Sequence, residues 1–485
     1  MGRGRGHAPA GVEDARMMDE ITSQPATVLT HLIRERELSP VQVVEAYLHR
    51  IDQLNPHFNA IVTLAPDVME KAAAAEAAVM RGETLGPLHG LPFTVKDTIE
   101  TAGLRSTSGS PVRANFIPEH DAPAVSRLLA AGAILLGKTN TAEMAMDYNT
   151  DNPVFGRATN PYDHLRTTGG SSGGEAVAIA TCMSPGGLGS DLAGSVRIPA
   201  HFCGISGLKP TVGQVACGGQ FPAAEGPYAL GSAIGPMARN VPDLQLFFNV
   251  LAGNQPSRPS TAVSSESLIP VMNGRRVAWY SNDGVSPVTS ETRQAMETAA
   301  RMLSEAGLKV EEIRPPGIER GHDLWLKLFS RASVVQLRNV YTGREAEAGA
   351  FVRWRLATAD DTPAPTLDDY ILSWCERDRL RSDLIEWMES TPLLLAPVGA
   401  TPAFPHDSLK VNVDGQSIST FRAFSYSQTF NVFDLPAAAI PVSRSAEGLP
   451  IGVQIIGRPF EEETVLAAAG IIERALGQWQ APPLQ

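Results

Sequence analysis

The sequence predicts an α/β protein, a β-sheet with helices on its faces. Helix and strand signals alternate through the first half of the chain, the pattern of a layered α/β fold. The strand candidates there are short apolar runs, such as PFTVKD at 92–97 and AILLG at 133–137, which suit a buried sheet. The 485 residues are 43% hydrophobic, enough to bury a large core without disulfides or metal.

The elements follow in order. Residues 1–18 are polar and glycine-rich and read as a disordered leader; they lack the apolar stretch of a secretory signal. Ser39 and Pro40 open a helix as N-cap and first residue. Val43, Val44, Tyr47, Leu48, Ile51 and Leu54 share one face of it, and Asn55-Pro56 is the expected stop. A short strand over 59–65 and an alanine-rich helix over 66–82 come next. The strand at 92–97 carries Lys96. A helix over 121–131 leads into the strand at 133–137. Residues 174–183 form a helix after a Gly/Ser loop, and 186–192 return to the sheet. Residues 254–272 are the best linker candidate. Strands at 276–280 and 309–313 flank a helix over 289–306. Residues 320–390 read as mostly helical, and late strands fall at 393–397 and 437–442.

Charge and cysteine content exclude some functions. Forty basic against 52 acidic residues leave a formal charge of −12, which argues against a broad basic surface for nucleic acid. Four cysteines, at 182, 203, 217 and 375, have no CxxC spacing and read as reduced structural thiols. No run of about 18 apolar residues predicts a membrane span. The expected compartment is the cytoplasm.

One motif match fails on context. GAILLGKT at 132–139 satisfies the phosphate-binding pattern G-x-x-x-x-G-K-[ST]. That pattern needs a flexible loop between its glycines, preceded by a strand and followed by a helix. Here the intervening residues are Ala-Ile-Leu-Leu, which belong in a strand, and a helix precedes them.

Three other segments carry chemistry together: a lysine in an apolar strand, a Gly/Ser loop, and a small-residue turn ending on arginine. They occur in PLHGLPFTVKDT (87–98), TTGGSSGGEA (167–176) and GSDLAGSVRIPAHFCGISGLKPT (189–211). With GKTNTAEM (137–144), IGPMARNVPDL (234–244), LPAAAIPV (435–442) and LPIGVQIIG (449–457), they resemble the amidase signature family of serine hydrolases. The resemblance spans about residues 25–475 and is strongest over 87–244. It implies a mixed central β-sheet flanked by helices on both faces, in a single domain over 19–485.

The resemblance also assigns roles. Ser195 matches the nucleophile. Ser171 matches a bridging serine that follows a cis peptide bond, here Gly170–Ser171. Lys96 matches the base. Leu192, Ala193 and Gly194, with Ser195 itself, match the backbone donors of an oxyanion hole. Where many members carry Gly-Gly-Ser, this chain has Ala193-Gly194-Ser195, and Ser190 stands where threonine is frequent. Gly170, Ser172, Asp191 and Arg197 read as the supporting loop, with Asp191 and Arg197 holding it rather than reacting. His89 reads as structural.

The chemistry explains the residue types. A serine hydroxyl becomes a nucleophile when a base accepts its proton. A lysine accepts one only when neutral, and burial in an apolar strand favours the neutral amine. A bridging hydroxyl both donates and accepts, so it can pass the proton along. No metal or organic cofactor is expected.

The expected function is a stand-alone serine hydrolase that cleaves C–N bonds of amides, with aryl amides, esters and carbamates (urethanes) as further candidates. The expected partners are a small-molecule substrate and at most a second copy of the chain, without nucleic acid. The alternative is the A subunit of a glutamyl-tRNA(Gln) amidotransferase, which works in a complex that handles tRNA. That subunit has SLDQIGP where this chain has GSAIGP (231–236), and a MYLSD-like stretch where this chain has FRAFSYSQTFN (421–431). Both departures favour the hydrolase. Residues 320–390 and the loop near 213–230 are expected to shape the pocket, with Trp325, Phe329, Tyr370 and Trp374 as candidate lining.

Overall fold

The structure is a computed structural model and describes residues 10–253, 267, 269–361 and 363–484. Thirteen strands are described: β1 (Ile61–Leu64), β2 (Pro92–Lys96), β3 (Ile134–Thr139), β4 (Gly186–Asp191), β5 (Ser206–Lys209), β6 (Ala233–Ala238), β7 (Arg276–Trp279), β8 (Lys309–Glu312), β9 (Leu393–Pro397), β10 (Lys410–Val413), β11 (Gln416–Ser419), β12 (Ala437–Arg444) and β13 (Pro450–Ile456). Eleven form one sheet in the order β1-β3-β2-β4-β6-β5-β12-β13-β9-β7-β8, and β10 pairs with β11 alone. The sheet is mixed. β3, β2 and β4 run parallel, as do β8, β7 and β9, and the strands between them pair antiparallel.

Every residue of β2, β3, β4, β6, β9 and β13 is buried. A strand is buried on both faces only when both faces are covered, and here helices cover them. The helix Gly173–Ala180 is buried along its whole length. The polar strand Gly186–Asp191, which no periodicity would mark as core, sits at the centre because glycine lets its neighbours approach. A Cβ at Gly187 would fall 2.2 Å from both a Glu175 carboxylate oxygen and the Thr94 carbonyl.

Some boundaries differ from expectation. The helix from Pro40 is capped as expected: the Ser39 hydroxyl accepts from the Val41 N–H at 3.0 Å, and Gln42 accepts from the Ser39 N–H at 3.1 Å. It does not stop at Asn55-Pro56 but runs to Phe58, with Asn59 in the left-handed region. Asn55 instead serves the exit of the chain: its side-chain oxygen accepts from the N–H groups of Ala60 and Ile61. Of the expected leader, residues 1–9 lie outside the described residues, and from Ala10 to Ser23 the chain is helical. Most of the linker over 254–272 also lies outside them; Ile269–Met272 is a 3₁₀ turn.

The GAILLGKT segment is strand β3, parallel to β2. Its Lys138 is fully buried and donates to Thr101 Oγ1 and Ser106 Oγ, both at 3.0 Å, and to the Ile99 carbonyl. That lysine clamps the loop after β2 and is not presented to a phosphate. No helix among the described residues is long and apolar enough to cross a membrane.

Candidate active site

β2 and β4 are parallel neighbours, so their C-terminal ends lie side by side. β2 ends on Lys96. β4 ends on Asp191, and the turn after it carries Leu192 to Ser195 before the helix Arg197–Cys203. The third component is the loop before the buried helix Gly173–Ala180. The Ser172 N–H donates to the Ser195 carbonyl at 3.2 Å, which holds this loop against the nucleophile turn.

Lys96 Nζ donates to Ser171 Oγ at 2.6 Å and to Ser190 Oγ at 3.0 Å. The lysine has no exposed surface. Burial lowers its pKa from the ordinary lysine value to about 7, against the opposing pull of Asp191 and Glu175. An amine is thus available in neutral form at neutral pH. The Gly170–Ser171 peptide bond is cis. A Cβ at Gly170 would fall 2.4 Å from the Asp147 carbonyl, so only glycine fits before this serine.

Glu175 lies beneath the lysine. Its two carboxyl oxygens accept from Thr94 Oγ1 at 2.5 Å and Thr139 Oγ1 at 2.8 Å. Burial raises its pKa to about 7.

The nucleophile turn is held from below by Asp191. Its carboxylate accepts from the N–H groups of Gly194 at 2.8 Å and Val196 at 3.1 Å, from Arg197 through two nitrogens at 3.0 Å, and from Asn431 at 3.0 Å. Both Asp191 and Arg197 side chains are fully buried. Burial opposes the charge on Asp191, but Arg197 and Lys209 hold the carboxyl well below its usual range. Arg197 further donates to Gln454 at 2.8 Å and Asn431 at 2.6 Å, so its guanidinium is well satisfied.

The backbone of the turn is fixed by side chains from elsewhere. Trp325 Nε1 donates to the Leu192 carbonyl at 3.0 Å, and the Tyr148 hydroxyl donates to the Ala193 carbonyl at 3.1 Å. In a trans peptide the N–H points opposite to the carbonyl. The Ala193 N–H therefore faces away from Trp325, and the Gly194 N–H is directed to Asp191. Gly194 has φ +101°, and a Cβ there would meet Ile198 and Ser427 at 2.7 Å.

Ser195 opens on a cavity of about 60 Å³. Trp325, Phe329, Tyr228 and Phe421 supply its aromatic wall, and Asp147 and Arg355 its charged groups. Burial raises the Asp147 pKa to about 7. Arg355 donates to Ser330 Oγ at 2.9 Å and Ser333 Oγ at 3.1 Å. Tyr370 and Trp374, expected in the wall, stand behind it: Trp374 meets Phe329 edge-on at 6.0 Å, and Tyr370 meets Trp374 at 6.3 Å.

The remaining candidates are accounted for. His89 faces the Ala75 carbonyl at 2.9 Å. Cys203 is buried, which pushes its thiol pKa up and away from nucleophilic use. Sequence reasoning missed Ser190 as a partner of Lys96, and missed as supports Tyr148, Asn431 and Gln428, whose side-chain N–H donates to the Tyr148 hydroxyl at 2.8 Å. Ser190 lies inside a motif and could have been found there. The others reach the turn only through the fold.

A model of the Amidase family matches residues 42–466 of the chain. The A subunit of the glutamyl-tRNA(Gln) amidotransferase of Chloroflexus aurantiacus is 34% identical over 95% of this chain and 98% of that protein. The corresponding subunit of a Synechococcus strain is 32% identical over 93% and 91%. Among solved structures, 6-aminohexanoate cyclic dimer hydrolase superposes with a TM-score of 0.83 at 28% identity, covering 96% and 99% of the two chains. A bacterial aryl acylamidase of the amidase signature enzymes gives 0.82 at 27%, covering 93% and 96%.

These relatives correct one expectation. A chain limited to a small-molecule substrate, working as a monomer or homodimer without nucleic acid, does not fit relatives that are subunits of a glutamyl-tRNA(Gln) amidotransferase and match it nearly end to end. The departures at 231–236 and 421–431 are local, whereas the similarity covers the whole fold. The end-to-end similarity outweighs these two local departures.

Proposed function

The chain belongs to the Amidase family, hydrolases of C–N bonds with the amidase signature, and from that premise we propose that it is the amide-cleaving subunit of an amidotransferase of the glutamyl-tRNA(Gln) type. The observation that carries this reading is the end-to-end similarity to A subunits, over 95% of this chain and 98% of the relative.

In this reading neutral Lys96 draws the proton of Ser171 as Ser171 takes that of Ser195. Ser195 Oγ bonds to the amide carbonyl carbon, and the carbonyl oxygen gains the charge. In this reading the backbone N–H groups of Leu192, Ala193 and Ser195 are the donors to that charge, because the Gly194 N–H is committed to Asp191. The C–N bond then breaks, and the nitrogen leaves with the proton returned through Ser171. Water repeats the sequence on the acyl-enzyme and releases the acid. From a primary amide the leaving group is ammonia, the nitrogen source an amidotransferase needs.

The cavity suits such a donor. Its volume of about 60 Å³ admits a narrow group such as a carboxamide. Arg355 is its cation, with a planar fork that matches a carboxylate. The test is ammonia release from glutamine by the purified chain, alone and with the remaining subunits of a related amidotransferase and its glutamyl-tRNA. Turnover that depends on the subunits and the charged tRNA is expected. Amide cleavage that the assembly leaves unchanged would overturn the reading.

The aromatic wall of Tyr228, Trp325, Phe329 and Phe421 favours a second reading, an aryl or apolar amide, ester or carbamate as the acyl donor of the same triad. A panel of those substrates in the same assay separates the two.

A further inference from the structure

A second cavity, about 840 Å³, opens at the other end of the sheet. Arg239 follows β6, and β6 pairs its last residue, Ala238, with Gly186 at the start of β4. The nucleophile turn follows the opposite end of β4, so the two sites lie at opposite ends of the same strands. The volume is within the range of pockets that hold small organic ligands, roughly 300–1,000 Å³.

Its lining is a mixture of cations and rings. Arg444 and Arg474 are both exposed, and among the described residues no ion pair closer than 4.0 Å engages either; the carboxylate that Arg474 feels is that of its neighbour Glu473. Arg444 lies over the Tyr162 ring, 5.2 Å from its centroid. Trp479 is held by its edge: the indole N–H donates to the Gly204 carbonyl at 2.8 Å. The buried Arg239 lies 5.7 Å from the Trp479 centroid and is tied to the Ser184 and Gln24 carbonyls. The acidic group of the cavity is Glu473, which accepts from the Val241 N–H at 2.7 Å. Burial raises its pKa to about 7, which trims the negative charge facing the arginines at neutral pH.

Two exposed guanidinium groups without a close ion pair, beside an indole fixed at its edge, are a receptor for charge and a flat face. We propose that this cavity is a second binding site, separate from the triad, for an organic anion that carries a planar ring. The anion pairs with Arg444 and Arg474, and the ring packs on Trp479. Neither a bare inorganic anion nor a neutral ring satisfies both halves of the site.

Isothermal titration of the full chain tests this, with salicylate and adenosine 5′-monophosphate as ring-bearing anions, and inorganic phosphate and phenol as the two halves. At least one ring-bearing anion is expected to bind one per chain, about tenfold or more tighter than either half. The affinity should fall about tenfold or more in the Arg444→Gln/Arg474→Gln variant. Both positions are exposed, so the fold is kept. Ser195→Ala should bind as the parent does. Absence of binding by both ring-bearing anions, binding no tighter than phosphate, survival of binding in the double arginine variant, or loss of it in Ser195→Ala would each overturn the proposal.

Discussion

Lys96 Nζ lies 2.6 Å from Ser171 Oγ, with the lysine wholly out of contact with solvent. Burial brings its pKa down to about 7, so protonation of this one amine controls whether the relay can start. The sign follows directly. The base works when neutral, and the neutral form prevails above the lowered pKa. The acid limb of kcat/KM against pH should therefore have a midpoint near 7, with activity falling about tenfold per pH unit below it. A limb at the ordinary carboxylate range would assign the base elsewhere.

Replacing the base separates chemistry from folding. Lys96→Ala removes a buried amine that burial already disfavours as a cation, so the fold should persist, as circular dichroism can check. Turnover should fall by about 10²–10⁴, the usual contribution of a positioned general base. Full activity in this variant would exclude Lys96 from the relay.

The nucleophile has its own readout. A fluorophosphonate probe should label the parent chain at Ser195 and leave Ser195→Ala unlabelled, as peptide mapping by mass spectrometry would show. Labelling at Ser171 or Ser190 instead would reassign the attacking hydroxyl.

How much of this was legible in the sequence depends on where each residue lies. Lys96, Ser171 and Ser195 sit in contiguous motifs, and the mostly apolar run of β2 (Pro92, Phe93 and Val95 beside Thr94) announced a buried lysine. β4 was legible only through its motif, because Gly186–Asp191 contains one large apolar residue, Leu188. The clamps on the nucleophile turn were not legible. Asn431 lies 240 residues from Asp191, and Trp325 lies 133 residues from Leu192. No local pattern connects such positions; packing of the helices over 321–432 onto the sheet does. Pro56 misled because a proline near a helix end reads as a stop, yet the last turn tolerates it once Asn55 caps the exit.

Asp191 and Arg197 should be costly to separate. Arg197→Met leaves a buried carboxylate without its counter-ion, which typically costs about 3–5 kcal/mol. A urea melt should show that loss, and activity should fall with it because Asp191 also holds the Gly194 and Val196 N–H groups. The Asp191 carboxyl is held below its unfolded value, so the stabilisation is complete above the ordinary carboxylate range and fades only as pH drops toward the depressed folded value. Asp191→Asn/Arg197→Met should cost less than the two single changes added, since each single change strands the other partner.

Ser190 gives the sharpest test of how the lysine is tuned. Its hydroxyl accepts from Lys96 Nζ at 3.0 Å, and such a bond favours the charged amine. Removing the acceptor in Ser190→Ala destabilises the ammonium and lowers the lysine pKa further. The acid limb should then move to lower pH, with plateau activity within about tenfold of the parent, because the bridge through Ser171 is untouched. Ser190→Thr restores a hydroxyl and should restore the parental midpoint. A purely structural Ser190 would lower activity or stability without moving that midpoint, so the pH profile of the two variants decides between tuning and support.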